Sequence, residues 1–168
     1  MNARKLHSST LRKSMDTCGD PYLLQDVRYE SAVCKRCHAV YQNKRWNMDE
    51  ELFQKMNEWK GMKKVLCPAC QKIKDKFPGG IVTLKGDFLR EHKDEIMNLI
   101  KNEEERAMGF NPLERIMEIS SIEGGMELKT TNEKLAQRIG KSVYRAYQGR
   151  VGYKWSQDTK LLRVEWER

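Results

Sequence analysis

Two Cys-x-x-Cys pairs constrain this chain more than any other feature: CKRC at 34–37 and CPAC at 67–70, with 29 residues between them. Four thiolates satisfy a tetrahedral zinc ion completely, and a tight Cys-x-x-Cys turn presents two sulfurs to one ion. Such a site is closed, with no open position for water. It is therefore structural, and its binding energy becomes folding energy for a module too small to stand alone. The expectation is one structural Zn2+ held by Cys34, Cys37, Cys67 and Cys70.

The competing reading, a thioredoxin-type dithiol, needs a strand–turn–helix in a βαβ setting and has no use for a second matching pair. His38 directly follows a ligand and could replace a cysteine, although a solvent- or phosphate-facing role suits it better. Cys18 stands alone between Asp16 and Asp20, where acidic neighbours raise a thiol's pKa, and reads as a spare. Five cysteines, four of them in close pairs, do not form a secreted disulfide framework, so a reducing, cytoplasmic setting is expected.

The residues around the pairs suggest a treble-clef or ribbon module: a knuckle, a hairpin through HAVYQNKRW, then a second knuckle opening a helix at QKIKDKF. The intervening MDEELFQKMNEWKGMKK places Leu52, Phe53, Met56 and Trp59 at helical spacing, which predicts an inserted helix with Trp59 in the core. Residues 31–78 form this module. Residues 1–30 read as a basic flexible arm, with a mitochondrial-type leader as the alternative; no apolar segment marks a secretory signal or a membrane span.

Charge is unevenly placed. Residues 1–78 hold 16 Lys/Arg against 9 Asp/Glu, while residues 79–168 hold 16 against 15. Almost the whole excess belongs to the cysteine-bearing half, as expected of a polyanion binder, although a solubility charge would look the same. Around the knuckles, Lys35, Arg36, Lys44, Arg45, Lys72 and Lys74 lie among Tyr41 and Trp46. Cations for phosphates and flat rings for unstacked bases are the components of an RNA-binding surface.

Residues 79–110 read as a short strand, Ile81 to Leu84, and an acidic connector helix from Asp87 with Leu89, His92, Ile96, Leu99 and Ile100 on one face. Residues 111–168 change to period two and predict a ββαββ domain: a hairpin about a Glu-Gly-Gly turn, a helix, and a second hairpin. Thr130 and Glu133 form a capping-box signature for that helix, which buries Leu135, Ala136, Ile139, Val143 and Tyr147. Its outer face carries Lys134, Arg138, Lys141 and Arg145 in one stripe, either a solvated face or a second phosphate contact. The fold class is thus α+β: a four-cysteine zinc module, a connecting helix and a small sheet domain.

With LCPACQKIKDKFPGGIVTLKG in view, the chain resembles the zinc-binding N-terminal region of the nonsense-mediated decay protein three family, and more closely a group of short bacterial proteins of that type, through NPLERIMEI, TTNEKLAQRIGKSVYRAYQG and LLRVEWER. The resemblance implies zinc ligation by the four paired cysteines and docking on the large ribosomal subunit, with ribosomal RNA and ribosomal proteins as partners. The family's second zinc site and its translation-factor-like domains have no counterpart in these residues.

No Gly-rich phosphate loop, nucleophile elbow or His-Glu-x-x-His helix is found, so neither an enzyme nor a small-molecule substrate is expected. The leading expectation is a non-enzymatic, zinc-stabilised protein docking on ribosomal RNA in assembly, quality control or dormancy. The alternative is a protein–protein adaptor, whose binding would weaken little with salt. A DNA-binding regulator is the weaker third, because no helix-turn-helix pair is evident.

Overall fold

The computed structural model describes residues 20–23 and 29–168; Cys18 and most of the expected arm lie outside the described residues. Among the described residues, two small sheets and five helices make up an α+β fold.

The first sheet has the order β3-β2-β1-β4. Strands β1 (Ala32–Cys34) and β2 (Val40–Gln42) pair antiparallel across the first cysteine turn. Strand β3 (Arg45–Asn47) returns on β2 through a two-residue turn. Asn43 and Lys44 both take positive φ there, 52° and 61°. That is the geometry whose twist matches a hairpin, and Asn is suited to it. The helix α1 (Glu50–Asn57) starts where Asp49 Oδ1 accepts the Leu52 N–H at 2.9 Å. It buries Phe53 on Val33 and Val40, with Leu52, Met56 and Met62 packed around them.

Trp59 departs from the predicted pattern. The helix stops at Asn57, so the helical spacing no longer carries the ring inward, and Trp59 is 66% exposed. The chain then re-enters the sheet as β4 (Lys63–Val65), parallel to β1. From β4 it passes the second cysteine turn into α2 (Pro68–Asp75).

The second sheet has five strands in the order β6-β7-β5-β9-β8. Its centre is β5 (Gly80–Lys85), antiparallel to β7 (Gly125–Thr130) and parallel to β9 (Leu162–Glu167). Strands β6 (Ile116–Ile122) and β8 (Arg150–Trp155) form the edges as the outer arms of two hairpins. The expected division into a connector at 79–110 and a separate ββαββ domain therefore needs correction. The strand assigned to the connector is the middle of the sheet, flanked by both hairpins.

Register explains the core. Val82 pairs with Leu128 on one side and Val164 on the other; Leu84 pairs likewise with Met126 and Trp166. All six are buried. The helix α5 (Glu133–Tyr147) lies on this face and adds Leu135, Ala136, Ile139 and Val143. A Cβ on Gly80 would come within 2.4 Å of Ala136 Cβ, so the helix can approach only because that position has no side chain.

The acidic segment forms two helices, α3 (Asp87–Glu91) and α4 (Lys93–Phe110), parted at His92, whose ring stacks on Phe88 at 4.1 Å. α4 buries Ile96, Ile100 and Ala107 in the same core. The capping expectation also shifts. Thr130 ends β7 and donates its hydroxyl to the Asn132 carbonyl at 2.7 Å, while Asn132 caps α5 by accepting the Leu135 N–H at 3.1 Å. The opposite face of the sheet is polar, with cross-strand pairs such as Arg150–Glu167 at 2.9 Å and Lys154–Glu165 at 3.4 Å.

Candidate metal centre

Each cysteine pair is presented by a turn that the backbone holds. At the first, Cys34 closes β1, its N–H donates to the Ala39 carbonyl at 2.7 Å, and the His38 N–H donates back to the Cys34 carbonyl at 3.1 Å. His38 takes φ 64°, completing the reversal. At the second, Cys67 is the N-cap of α2 and Pro68 occupies the first turn, where its missing N–H costs nothing. The Cys67 Sγ accepts the Cys70 N–H at 3.4 Å, and Cys34 Sγ accepts the Cys67 N–H at 3.4 Å. Backbone donors aimed at sulfur stabilise thiolate over thiol.

The four Sγ atoms all lie within 4.8 Å of one another, and those of Cys37 and Cys67 are 3.6 Å apart. A tetrahedron with Zn–S bonds of ~2.3 Å has edges of about 3.8 Å. The sulfurs thus stand near ligating separations, with shifts of about 1 Å or less closing the set around one ion. Cys34, Cys67 and Cys70 are buried and Cys37 half-buried, packed with Ala39 and Ala69. Four cysteines this close could hold a metal ion such as zinc.

The thiols titrate as a set. Hydrogen bonds with Cys37, Cys67 and Cys70 hold Cys34 far below the usual thiol range. Contact with Cys34 raises Cys37, but hydrogen bonds with Cys67 and Cys70 outweigh it and bring it down to about 6. Cys67 and Cys70 are pushed up, first by Cys34 and then by Cys37. Sulfurs so close cannot all ionise unless a cation joins them.

One member of the site is not legible as such in the sequence. Arg115, in the loop between α4 and β6, donates from Nη2 to Cys37 Sγ at 3.2 Å and from Nη1 to Cys70 Sγ at 3.8 Å. Its Nε donates to the Pro112 carbonyl at 2.6 Å, which fixes the guanidinium plane. Burial disfavours its charge, yet the hydrogen bond to Cys37 and the field of the thiols prevail, and its pKa is raised. No sequence pattern links an arginine to cysteines 45 and 78 positions away.

His38 points elsewhere: its Nδ1 lies 3.4 Å from a Glu50 carboxylate oxygen and its ring stacks on Phe53 at 4.1 Å. Among the RNA-binding candidates, Lys35 and Arg36 are exposed on the first turn, Lys44 and Arg45 on the hairpin, and Lys74 on α2. Trp46 is half-buried against the cysteine cluster. Tyr41 is largely buried, its ring 5.5 Å from Tyr29 and 5.3 Å from Trp46, so it supports the neighbouring rings more than it offers a free stacking face.

Lys72 requires outright correction as a phosphate contact. It is 5% exposed, paired with the buried Asp20, and donates to the Thr131 carbonyl at 2.8 Å. The helical period of α2 turns it toward the sheet unit. On α5, Lys134, Lys141 and Arg145 are exposed, whereas Arg138 is half-buried and faces Glu114 at 3.5 Å.

The fold and site together define an α+β protein with two small sheets and a four-cysteine cluster suited to a metal ion. Comparison with family models, curated proteins and solved structures finds no match to the chain. No helix among the described residues is long and apolar enough to cross a membrane.

Proposed function

We propose that this is a non-enzymatic, zinc-stabilised RNA-binding protein of the cytoplasm that docks on ribosomal RNA. One observation carries the reading: the first of the turns that converge four thiols on one point displays Lys35 and Arg36 to solvent, and the hairpin that follows it displays Lys44 and Arg45. The bound ion is read as a single structural Zn2+. The order of knuckle, hairpin and second knuckle opening α2 supports a treble-clef module. Four thiolates leave such an ion no position for water, so its part is to fix the cationic turns rather than to catalyse. The ribosome as target rests on the resemblance to the nonsense-mediated decay protein three family.

Phosphate neutralisation would supply the affinity, and each lost contact reduces the salt slope by about 1. The test is sedimentation of tagged protein from lysate on a sucrose gradient, with and without high salt and nuclease. It is combined with RNA titrations of the Arg36→Glu/Arg45→Glu variant. Co-migration with the large subunit that is lost in high salt, and a shallower salt slope for the variant, are expected. Salt-insensitive co-migration would favour a protein–protein adaptor, and unchanged RNA binding by the folded variant would remove these arginines from the interface.

A further inference from the structure

A cleft of about 850 Å³ opens beside the metal module, between the β2–β3 hairpin, α2 and the end of α4. Its aromatic content is high. Tyr41 and Trp46 enter it from the hairpin, Tyr22 and Tyr29 from the residues preceding β1, and Phe110 from the last position of α4. Phe110 is 86% exposed, so no described part of the protein covers its ring. A large aromatic left uncovered at the mouth of a ring-lined cleft is suited to a flat partner.

The polar groups give the cleft a direction. Lys44 and Arg45 stand on the hairpin wall, where the tight turn holds them. A separate element, α2, contributes Gln71 and Asp75 to the lining. The Asp75 carboxylate accepts the Gln71 amide at 2.8 Å and the Tyr22 hydroxyl at 2.9 Å, and this holds it below the usual carboxylate range. A phosphate is attracted to Lys44 and Arg45 and repelled by Asp75. Asn111 adds an amide whose Oδ1 is occupied by the Leu113 N–H at 3.1 Å, which leaves its N–H groups for a carbonyl acceptor.

An uncovered ring for stacking at Phe110, cations on the hairpin and hydrogen-bonding groups on α2 and at Asn111 match a nucleotide whose phosphate and base meet different groups. The outer face of the five-stranded sheet offers no such platform, because its strands present Thr83, Lys129, Arg163 and Glu165 there without an aromatic ring. We infer that this cleft takes unstacked bases of single-stranded RNA, with the flanking phosphates on Lys44 and Arg45. The inference rests on the RNA-binding reading above and narrows it: duplex RNA, whose bases are stacked, would meet the exposed cations but could not enter.

The test uses the full zinc-loaded chain. A short fluorescein-labelled single-stranded RNA of mixed sequence and a blunt duplex of equal length are titrated against the native protein, Phe110→Ala and Phe110→Tyr. Loss of one stacking ring is expected to weaken single-strand binding by about tenfold or more in Phe110→Ala, with Phe110→Tyr near native and duplex binding unchanged. Ultraviolet crosslinking of the native protein to the single strand is expected to mark Trp46 or Phe110. If single-stranded RNA binds but Phe110→Ala has no effect and crosslinks fall only on Trp59 or Trp155, the cleft is not the base site while the RNA reading stands. If neither RNA binds the native protein, both fail. A proline-rich peptide bound in place of RNA, with the same dependence on Phe110, would overturn the inference in favour of a protein partner.

Discussion

Arg115 stands 3.2 Å from Cys37 Sγ although the two lie 78 positions apart in the chain. The arginine belongs by sequence to the sheet unit, and its backbone is fixed there. Its N–H donates to the Thr131 hydroxyl at 2.9 Å, and its carbonyl accepts the Thr131 N–H at 2.9 Å. One residue is therefore anchored in the five-stranded unit and charge-paired with the cysteine cluster of the other. Four thiolates around a divalent ion leave an excess of negative charge, and a half-buried guanidinium offsets part of it.

Removing that charge should weaken metal binding. Partners beyond the ligand shell are typically worth ~10–100-fold in metal affinity. Arg115→Met keeps most of the volume and loses the donors, so competition against a chromophoric chelator should show a drop of about that size. Arg115→Lys should recover only part, because an ammonium cannot bridge two sulfurs with a fixed fork. Native affinity in folded Arg115→Met would mean that the contact is incidental.

Chelation should open one unit and spare the other. The cysteine cluster packs with few other buried apolar side chains, chiefly Ala39 and Ala69, whereas the sheet unit has an extended core from Val82 to Trp166. On adding a chelator, amide protection should collapse across residues 31–78 and persist on β5, β7 and β9. Acid should act in the same direction: protons compete with the metal for thiolates, so affinity falls as pH falls and returns as it rises. Hydrogen exchange followed by mass spectrometry separates the units. Equal loss of protection in both would show that the sheet cannot stand without the metal.

Gly80 tests how closely α5 sits on the sheet. A Cβ at this position would meet Ala136 Cβ at 2.4 Å and Thr130 Oγ1 at 2.6 Å, with little freedom to move either. Gly80→Ala should cost about 1–3 kcal/mol by urea denaturation, the usual range for an overpacked core site. Gly152→Ala, where a Cβ would meet nothing within 4 Å, is the control and should change little.

Much of this architecture can be read in the sequence because the signals are local. Cys-x-x-Cys spacing is set by a single turn, and the Glu-Gly-Gly stretch at 123–125 marks its hairpin. Leu162, Val164 and Trp166 alternate as a half-buried strand must, and all three are buried. What cannot be read depends on contacts between distant segments. The parallel pairings of β1 with β4 and of β5 with β9 leave no signature in either strand alone. Periodicity places Trp59 inward because it extrapolates a helix that stops two residues earlier. The site divides in the same way: the ligands follow from spacing, while Arg115 and the ring-lined cleft need separate stretches of chain to be brought together.

Lys72 and Asp20 offer the sharpest check on where the surface of the protein ends. Their side chains are 6% and 8% exposed, and they pair where α2 meets the sheet unit, with Lys72 Nζ also donating to the Thr131 carbonyl at 2.8 Å. Lys72→Met leaves a buried carboxylate without its cation, which typically costs about 3–5 kcal/mol. Replacing both members, Lys72→Met with Asp20→Leu, removes the orphaned charge and should restore much of that loss in urea denaturation. The pair also separates structural from phosphate-binding cations. Because Lys72 is inaccessible, Lys72→Met should lower stability while leaving the salt slope of RNA binding at its native value. Arg45→Glu should do the opposite, sparing stability and flattening the slope. A reduced slope in folded Lys72→Met would return this lysine to the RNA-binding surface.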